Sequence, residues 1–232
     1  MAVARNGEWD IYYEEFGDPA HPVLLLVNGL GSQSINYADD WCRMFAAEGF
    51  RVVRYDNRDV GLSSHRPDAQ YTCDDMAGDG MAVLDALGVQ RAHVMGLSMG
   101  GMIVQMMAIL HPERLLTMTS VMSHSGEPDY FRRTDRAFEL LTAPAATTRE
   151  GYVQQWIDGL HEWGSPEFAD EARWRADAER AFDRCFDPSG GERQFRAIAA
   201  STPRADRLLE VAVPTLVIHG DRDTLIDQIG GR

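Results

Sequence analysis

The pentapeptide Gly96-Leu97-Ser98-Met99-Gly100 fits the pattern G-x-S-x-G and stands between an apolar run and a helical stretch. That context makes the pattern informative. A strand turning sharply into a helix strains the backbone at the serine and lifts its hydroxyl clear of the sheet. Residues two before and two after the serine must be small to avoid collision, and both are glycine. The turn also sets Ser98 at a helix N-terminus, where the dipole and free N–H groups favour negative charge. The chemistry of such a serine is attack on an electrophilic carbonyl, with the hydroxyl as nucleophile.

A second glycine-rich loop, Asn28-Gly29-Leu30-Gly31, follows the first continuous apolar run. The N–H groups of Leu30 and Met99 are expected to point together at the oxygen of a bound carbonyl. Removing one such oxyanion donor typically costs about 3 kcal/mol of transition-state stabilisation. The plainer reading of the loop is a glycine turn. Neither loop has the spacing of a dinucleotide site, which argues against an NAD role.

The elements that must position these residues alternate along the chain. Residues 9–16 read as an edge strand, and 23–27 as a strand covered on both faces, as in parallel sheets. A helix over 38–48, a strand over 51–55, a helix over 74–87, a strand over 92–97, a helix over 99–110 and a strand over 115–122 follow. This rhythm predicts an α/β fold with a doubly wound parallel sheet. From about 126 the pattern turns helical, polar and aromatic, and 213–219 then returns to a buried strand. The expected organisation is a core over 1–124, a helical cap over 125–209 and a continuation of the core over 210–232. Thr147 and Glu150 match a capping box, Ser165-Pro166 looks like a helix start, and Trp156, Trp163 and Trp174 are expected to hold the cap to the core.

Of the 232 residues, 44% are hydrophobic, enough for one full-sized core. The formal charge of −14 repels phosphate backbones and anionic lipids, so neither nucleic acid nor a membrane surface is an expected partner. Every basic residue other than histidine is arginine, which excludes lysine Schiff-base chemistry. Cys42, Cys73 and Cys185 form no CxxC pair, and three free thiols suit a reducing cytoplasm, the expected location. Residues 1–10 carry no apolar signal-like run, and 23–27 is too short to cross a bilayer.

Four stretches together resemble the α/β-hydrolase superfamily: Gly29-Leu30-Gly31, Tyr55-Asp56-Asn57-Arg58-Asp59-Val60-Gly61-Leu62-Ser63, His93-Val94-Met95-Gly96-Leu97-Ser98-Met99-Gly100-Gly101, and Val213-Pro214-Thr215-Leu216-Val217-Ile218-His219-Gly220. The likeness spans nearly the whole chain and is strongest to the branch containing aclacinomycin methylesterase and small carboxylesterases. A serine at 98 argues against the epoxide-hydrolase and haloalkane-dehalogenase branches, which carry Asp there. The resemblance implies a helical cap inserted after the sixth core strand, and hydrolysis of a small-molecule carboxylic ester through an acyl-enzyme, with no metal or organic cofactor. It also implies a triad acid after the late strand. The pattern Gly-x-x-Asp puts that role on Asp223, with Asp221 second and Glu127 third. Asn28 stands where many relatives carry His, which leaves its side chain's role open beside the substrate. Asp56 and Arg58 are expected to brace their own loop.

Ser98 needs a base within about 3 Å. The resemblance places that histidine after the acid, yet 224–232 contain none. The expectation is a chain that stops short of its base and of the last strand and helix, leaving an unpaired strand edge, poor solubility and weak hydrolysis. Among the histidines present, His219 ends the late strand, His93 lies in a core strand, His111 ends a helix, His21 and His65 lie in loops, and His161 falls in the cap. His124 ends a strand on the sheet edge where sites gather and is expected to border the substrate. Perhydrolysis of the haloperoxidase kind, C–C bond hydrolysis and acyl transfer fit the same machinery, and a non-catalytic small-molecule receptor fits the absent histidine. Oligomeric state is not legible.

Overall fold

The computed structural model describes residues 2–128 and 132–231. Among the described residues seven strands form one sheet: β1 Ala2–Asn6, β2 Trp9–Phe16, β3 Val23–Val27, β4 Arg51–Tyr55, β5 Ala92–Leu97, β6 Leu115–Val121 and β7 Thr215–Ile218. Their order is β1-β2-β4-β3-β5-β6-β7. β1 and β2 form an antiparallel hairpin, β2 runs antiparallel to β4, and every other pairing is parallel. The expected edge strand 9–16 is therefore not the edge. Asn6 pairs with Trp9 across a two-residue turn in which Gly7 has φ +59°, so β1 takes the outer place.

β3 explains the two-faced core. All five of its residues are buried. Val23, Leu25 and Val27 pack with residues of α2 (Cys73–Ala86) and α3 (Met99–Leu110) on one face. Leu24 and Leu26 pack with Tyr37 and with Cys42, Trp41 and Phe45 of α1 (Asp39–Ala47) on the other. A strand covered on both faces reads as an unbroken apolar run, because successive side chains serve opposite layers. α2 opens on a reciprocal cap between Thr72 and Asp75.

The late strand departs from expectation. It was expected to be buried, yet Leu216, Val217 and Ile218 are 55%, 45% and 45% exposed. β7 pairs with β6 on one side and stands last in the sheet, so packing reaches it from one side only.

Between β6 and β7 the chain forms α4 (Asp135–Thr142), α5 (Arg149–Trp163), α6 (Glu171–Arg184), α7 (Pro188–Ala200) and α8 (Ala205–Leu208). Residues 129–131 of this insert lie outside the described residues. The expected Thr147 cap is shifted by one residue: Thr148 caps α5 by accepting the Gly151 N–H. Pro166 opens a 3-10 turn, and α6 begins later, at Glu171, behind the Asp170 cap. The tryptophans also depart from expectation. Trp156 and Trp174, with Tyr152, pack around Val153, Ile157 and Ala178, and Trp163 lies over Gly159. Trp156 and Trp174 thus join α5 to α6 within the insert, and Trp163 packs on its own helix. The insert re-enters the core where it left: the Arg204 N–H donates to Ser125 O at 3.0 Å. The Arg204 guanidinium, 2% exposed, donates to Gln105 of α3 at 2.7 Å and to His124 O at 2.8 Å. Among the described residues no helix is long and apolar enough to cross a membrane.

Candidate active site

Ser98 adopts φ 56° and ψ −118°, a conformation that an L-residue holds only under constraint and that costs about 1–3 kcal/mol. Two backbone hydrogen bonds fix it: the Ser98 N–H donates to Val121 O of β6 at 2.9 Å, and Met102 N–H donates to Ser98 O at 3.2 Å. Sterics then dictate the flanking glycines. A Cβ at position 96 would lie 2.0 Å from Gly100 O, and one at position 100 would lie 2.0 Å from Val27 O. Ser98 is half-buried at the carboxyl end of β5.

The 28–33 loop lies against it. A Cβ built on Gly29 would stand 3.4 Å from Ser98 Cβ. The Ser32 N–H donates to Gly29 O at 3.2 Å, closing a four-residue turn in which Gly31 has φ +67°. The oxygen and N–H of a trans peptide point in opposite directions, so with Gly29 O turned to Ser32 the Leu30 N–H faces the other side. Met99 is the first residue of α3, and an N–H there has no acceptor within its own helix. Asn28 turns inward at 2% exposure: its Nδ2 donates to Gln33 O at 2.5 Å, and its Oδ1 accepts from the Gly29 N–H at 3.3 Å. Its geometry is that of a brace for the loop.

Asp56 braces more than its own loop. Its Oδ1 accepts the Ser34 N–H at 2.6 Å, its Oδ2 accepts the Leu62 N–H at 2.8 Å, and Arg184 of α6 pairs with it at 2.8 Å. Arg58 likewise reaches outside its loop, meeting the fully buried Asp79 of α2 through two contacts of 2.6 Å.

The sheet edge carries the remaining residues in order. Leu97 is level with Val121, and Val121 with Ile218. Ser98 and His219 thus end strands two spacings apart, roughly 10 Å between backbones. Asp223 follows β7. Its Oδ1 accepts the N–H groups of Leu225 and Ile226 at 2.9 Å, and its Oδ2 lies 3.5 Å from His219 Nε2. His219 Nε2 is itself 2.7 Å from Ile226 O. Asp221 is exposed, so of the two turn acids Asp223 is the one directed inward. Glu127 accepts the Ser125 hydroxyl and the Ala205 N–H, the latter at 2.8 Å. Burial pushes its carboxyl up, but these hydrogen bonds outweigh it and hold the group below its usual range.

His124, 4% exposed, accepts the Gly126 N–H on Nδ1 at 2.9 Å. Burial, reinforced by the Arg204 charge, pushes its pKa down to about 4, so it is neutral near pH 7. His93 meets Thr117 Oγ1 at 2.8 Å, and His65 meets Asp187 at 2.8 Å. Among the described residues no group of three or more His, Cys, Asp or Glu side chains could hold a metal ion.

The structure thus gathers Ser98, Met99, Leu30 and Asn28 in one place. Asp223 and His124 lie on neighbouring strand ends of the same edge. Sequence reasoning missed Gln33 and Gln194, which join the 28–33 loop to the insert. Both are buried glutamines without a local pattern to mark them.

The chain is similar to known proteins. A sequence model described as alpha/beta hydrolase fold matches residues 22–232. The chain is 37% identical over 198 residues to rhodomycin D methylesterase DauP of Streptomyces sp. (strain C5), covering 75% of this chain and 66% of that protein. It is 39% identical over 171 residues to rhodomycin D methylesterase DnrP of Streptomyces peucetius, covering 73% and 57%. The chain thus spans less than two thirds of the length of these two relatives. Among solved structures, the enol-lactonase from Burkholderia xenovorans LB400 superposes with a TM-score of 0.78 at 26% identity, covering 100% of this chain and 85% of that one.

Proposed function

The chain belongs to the α/β-hydrolase family, and from that premise we propose that it is the nucleophile-bearing part of a hydrolase for a small-molecule carboxylic ester. The observation that carries the reading is the strained backbone at Ser98, φ 56° and ψ −118°, at the mouth of α3 and against the Gly29 loop. Ser98 Oγ attacks the ester carbonyl while an imidazole takes its proton. The Leu30 and Met99 N–H groups stabilise the tetrahedral oxyanion. The alcohol leaves with that proton, and water then hydrolyses the acyl-enzyme by the same steps in reverse. Asp223 orients the imidazole and stabilises its cationic form. The imidazole is assigned to a histidine that follows Asp223 in chain order, by the Ser–Asp–His order of this fold. The insert over 125–209 acts as a cap that sets substrate size. The names methylesterase and enol-lactonase among the relatives support an ester substrate.

The test is Ser98→Ala in the full-length protein with p-nitrophenyl acetate. The expected loss is about 10⁴-fold or more in kcat, the scale seen when a triad nucleophile is removed. Phenylmethylsulfonyl fluoride should modify the unaltered protein at Ser98, as read by peptide mass. Turnover within tenfold of the unaltered enzyme would overturn the assignment.

A further inference from the structure

We propose that Gln194, on α7 of the insert, is a positioning residue for the oxyanion loop, so that the seating of the insert sets the direction of the Leu30 N–H. The proposal deepens the hydrolase reading and rests on it. Gln194 is fully buried. Its Oε1 accepts the Gly31 N–H at 2.8 Å, and its Nε2 donates to Arg58 O at 2.8 Å. A flipped amide would set donor against donor and acceptor against acceptor, so the two partners fix its orientation.

The Gly31 N–H belongs to the central peptide of the Gly29–Ser32 turn. Rotation of that peptide interconverts turn types, and only one orientation keeps the third residue at positive φ. Gly31 sits at φ +67°, and the Gln194 oxygen selects that orientation. The neighbouring peptide, which carries the Leu30 N–H, is held by the same turn. Gln33 anchors the far end of the loop: its Nε2 donates to Ala181 O at 2.7 Å and Cys185 O at 2.9 Å near the end of α6, and its Oε1 accepts from Arg184 at 2.7 Å. The insert therefore grips the loop at the centre of its turn and at its Gln33 end.

The start of α7 is built for this approach. A Cβ at Gly190 would lie 1.9 Å from Asp59 O, and one at Gly191 would stand 3.8 Å from Gly31 Cα, in ordinary contact. Two glycines near a helix start are poor for helix stability. Here the missing side chain at Gly190 lets α7 press against the Asp59 backbone, beside the Gly31 turn that Gln194 reaches.

The test compares Gln194→Met, which keeps volume and loses both hydrogen bonds, with Gln194→Glu, whose protonated carboxyl can accept from Gly31 and donate to Arg58 O. Both are made in the full-length protein. Two readouts are taken: hydrogen exchange of the Gly31 amide by NMR, and kcat and KM for p-nitrophenyl acetate. In Gln194→Met, Gly31 exchange should accelerate about tenfold or more while the α3 amides stay protected. The kcat should fall about 10- to 100-fold with KM little changed, less than the loss from deleting an oxyanion donor outright. Gln194→Glu should restore most of both. Unchanged Gly31 exchange in Gln194→Met overturns the proposal, as does released exchange with unchanged kcat, or a rise in KM alone. If Gln194→Met does not fold, a Gln194→Glu protein whose Gly31 exchanges as freely as an unstructured amide overturns it equally. If the unaltered enzyme and Ser98→Ala turn over alike, the serine assignment fails by itself, and Gly31 exchange still decides whether Gln194 holds the turn.

Discussion

The turn at Ser98 and the turn at Asp223 end strands of one sheet, yet they are held by different means. Ser98 follows β5, which has β3 on one side and β6 on the other. Its unfavourable backbone persists because neighbours on every side leave no alternative, and Gly96 and Gly100 are in near-contact with other backbone. Asp223 follows β7, the last strand, whose apolar residues are half exposed. Its turn is held by one carboxylate oxygen accepting two nearby N–H groups, and by Thr224, whose hydroxyl donates to Glu162 O at 2.9 Å and whose carbonyl accepts the Thr134 N–H at 2.8 Å. Strain can be stored where backbone on every side over-determines a conformation, whereas an unstrained edge turn can rest on a few hydrogen bonds.

The widest contrast should come from adding one methyl group to each turn. Gly100→Ala drives a Cβ to 2.0 Å from Val27 O, whereas a Cβ at Gly220 meets nothing within 4 Å. Gly100→Ala should cost about 4 kcal/mol or more, an extreme value for a point change, and Gly220→Ala should stay within about 1 kcal/mol. Urea denaturation of the two variants measures the difference, and equal costs would erase the distinction between the turns.

A smaller effect is expected from His124, which stands between the two regions. The unfolded chain binds this proton near pH 6.5, and the folded chain only at about pH 4. Between those values the unfolded state holds more protons, so stability falls as pH falls through that window, by on the order of 3 kcal/mol in total. In His124→Asn, whose side-chain oxygen can still accept the Gly126 N–H, the slope of stability against pH between 6.5 and 4 should flatten. Denaturation midpoints at several pH values in that range would show it, and a slope equal to the unaltered protein's would contradict it.

The smallest change in stability belongs to the exposed edge. Val217→Lys should alter folding free energy by less than about 0.5 kcal/mol, while a charge on the open strand discourages edge-to-edge pairing. Light scattering at rising concentration should report less self-association than for the unaltered chain. If both chains remain equally dispersed, the β7 edge is not an association surface.

The same contrast explains what was legible in the sequence. β4, β5 and α3 match their expected ranges, because each is a continuous pattern closed by a clear turn. The Ser98 turn was legible because the glycines its crowding demands, Gly96 and Gly100, stand within two residues of it, although what crowds them includes the distant Val27. β1 was missed because it is short and mostly exposed, and its hairpin rests on the single turn at Gly7. The exposure of β7 was hidden because an apolar run carries no record of its place in the sheet. The tryptophans indicated apolar packing without saying against which layer. Gln194 meets Gly31 across 163 positions of sequence, a pairing that no local pattern encodes.

One hydrogen bond has a broader consequence. Because the Arg204 amide meets the Ser125 carbonyl at 3.0 Å, the chain leaves the sheet and comes back through a single gateway. Whatever lies between those two points starts and finishes as a pre-closed loop, and loop-closure entropy grows only slowly with length. The sheet can therefore carry inserts of quite different size at this junction with little change in its own strand spacing, which makes 125 and 204 natural splice points for grafting a different set of helices.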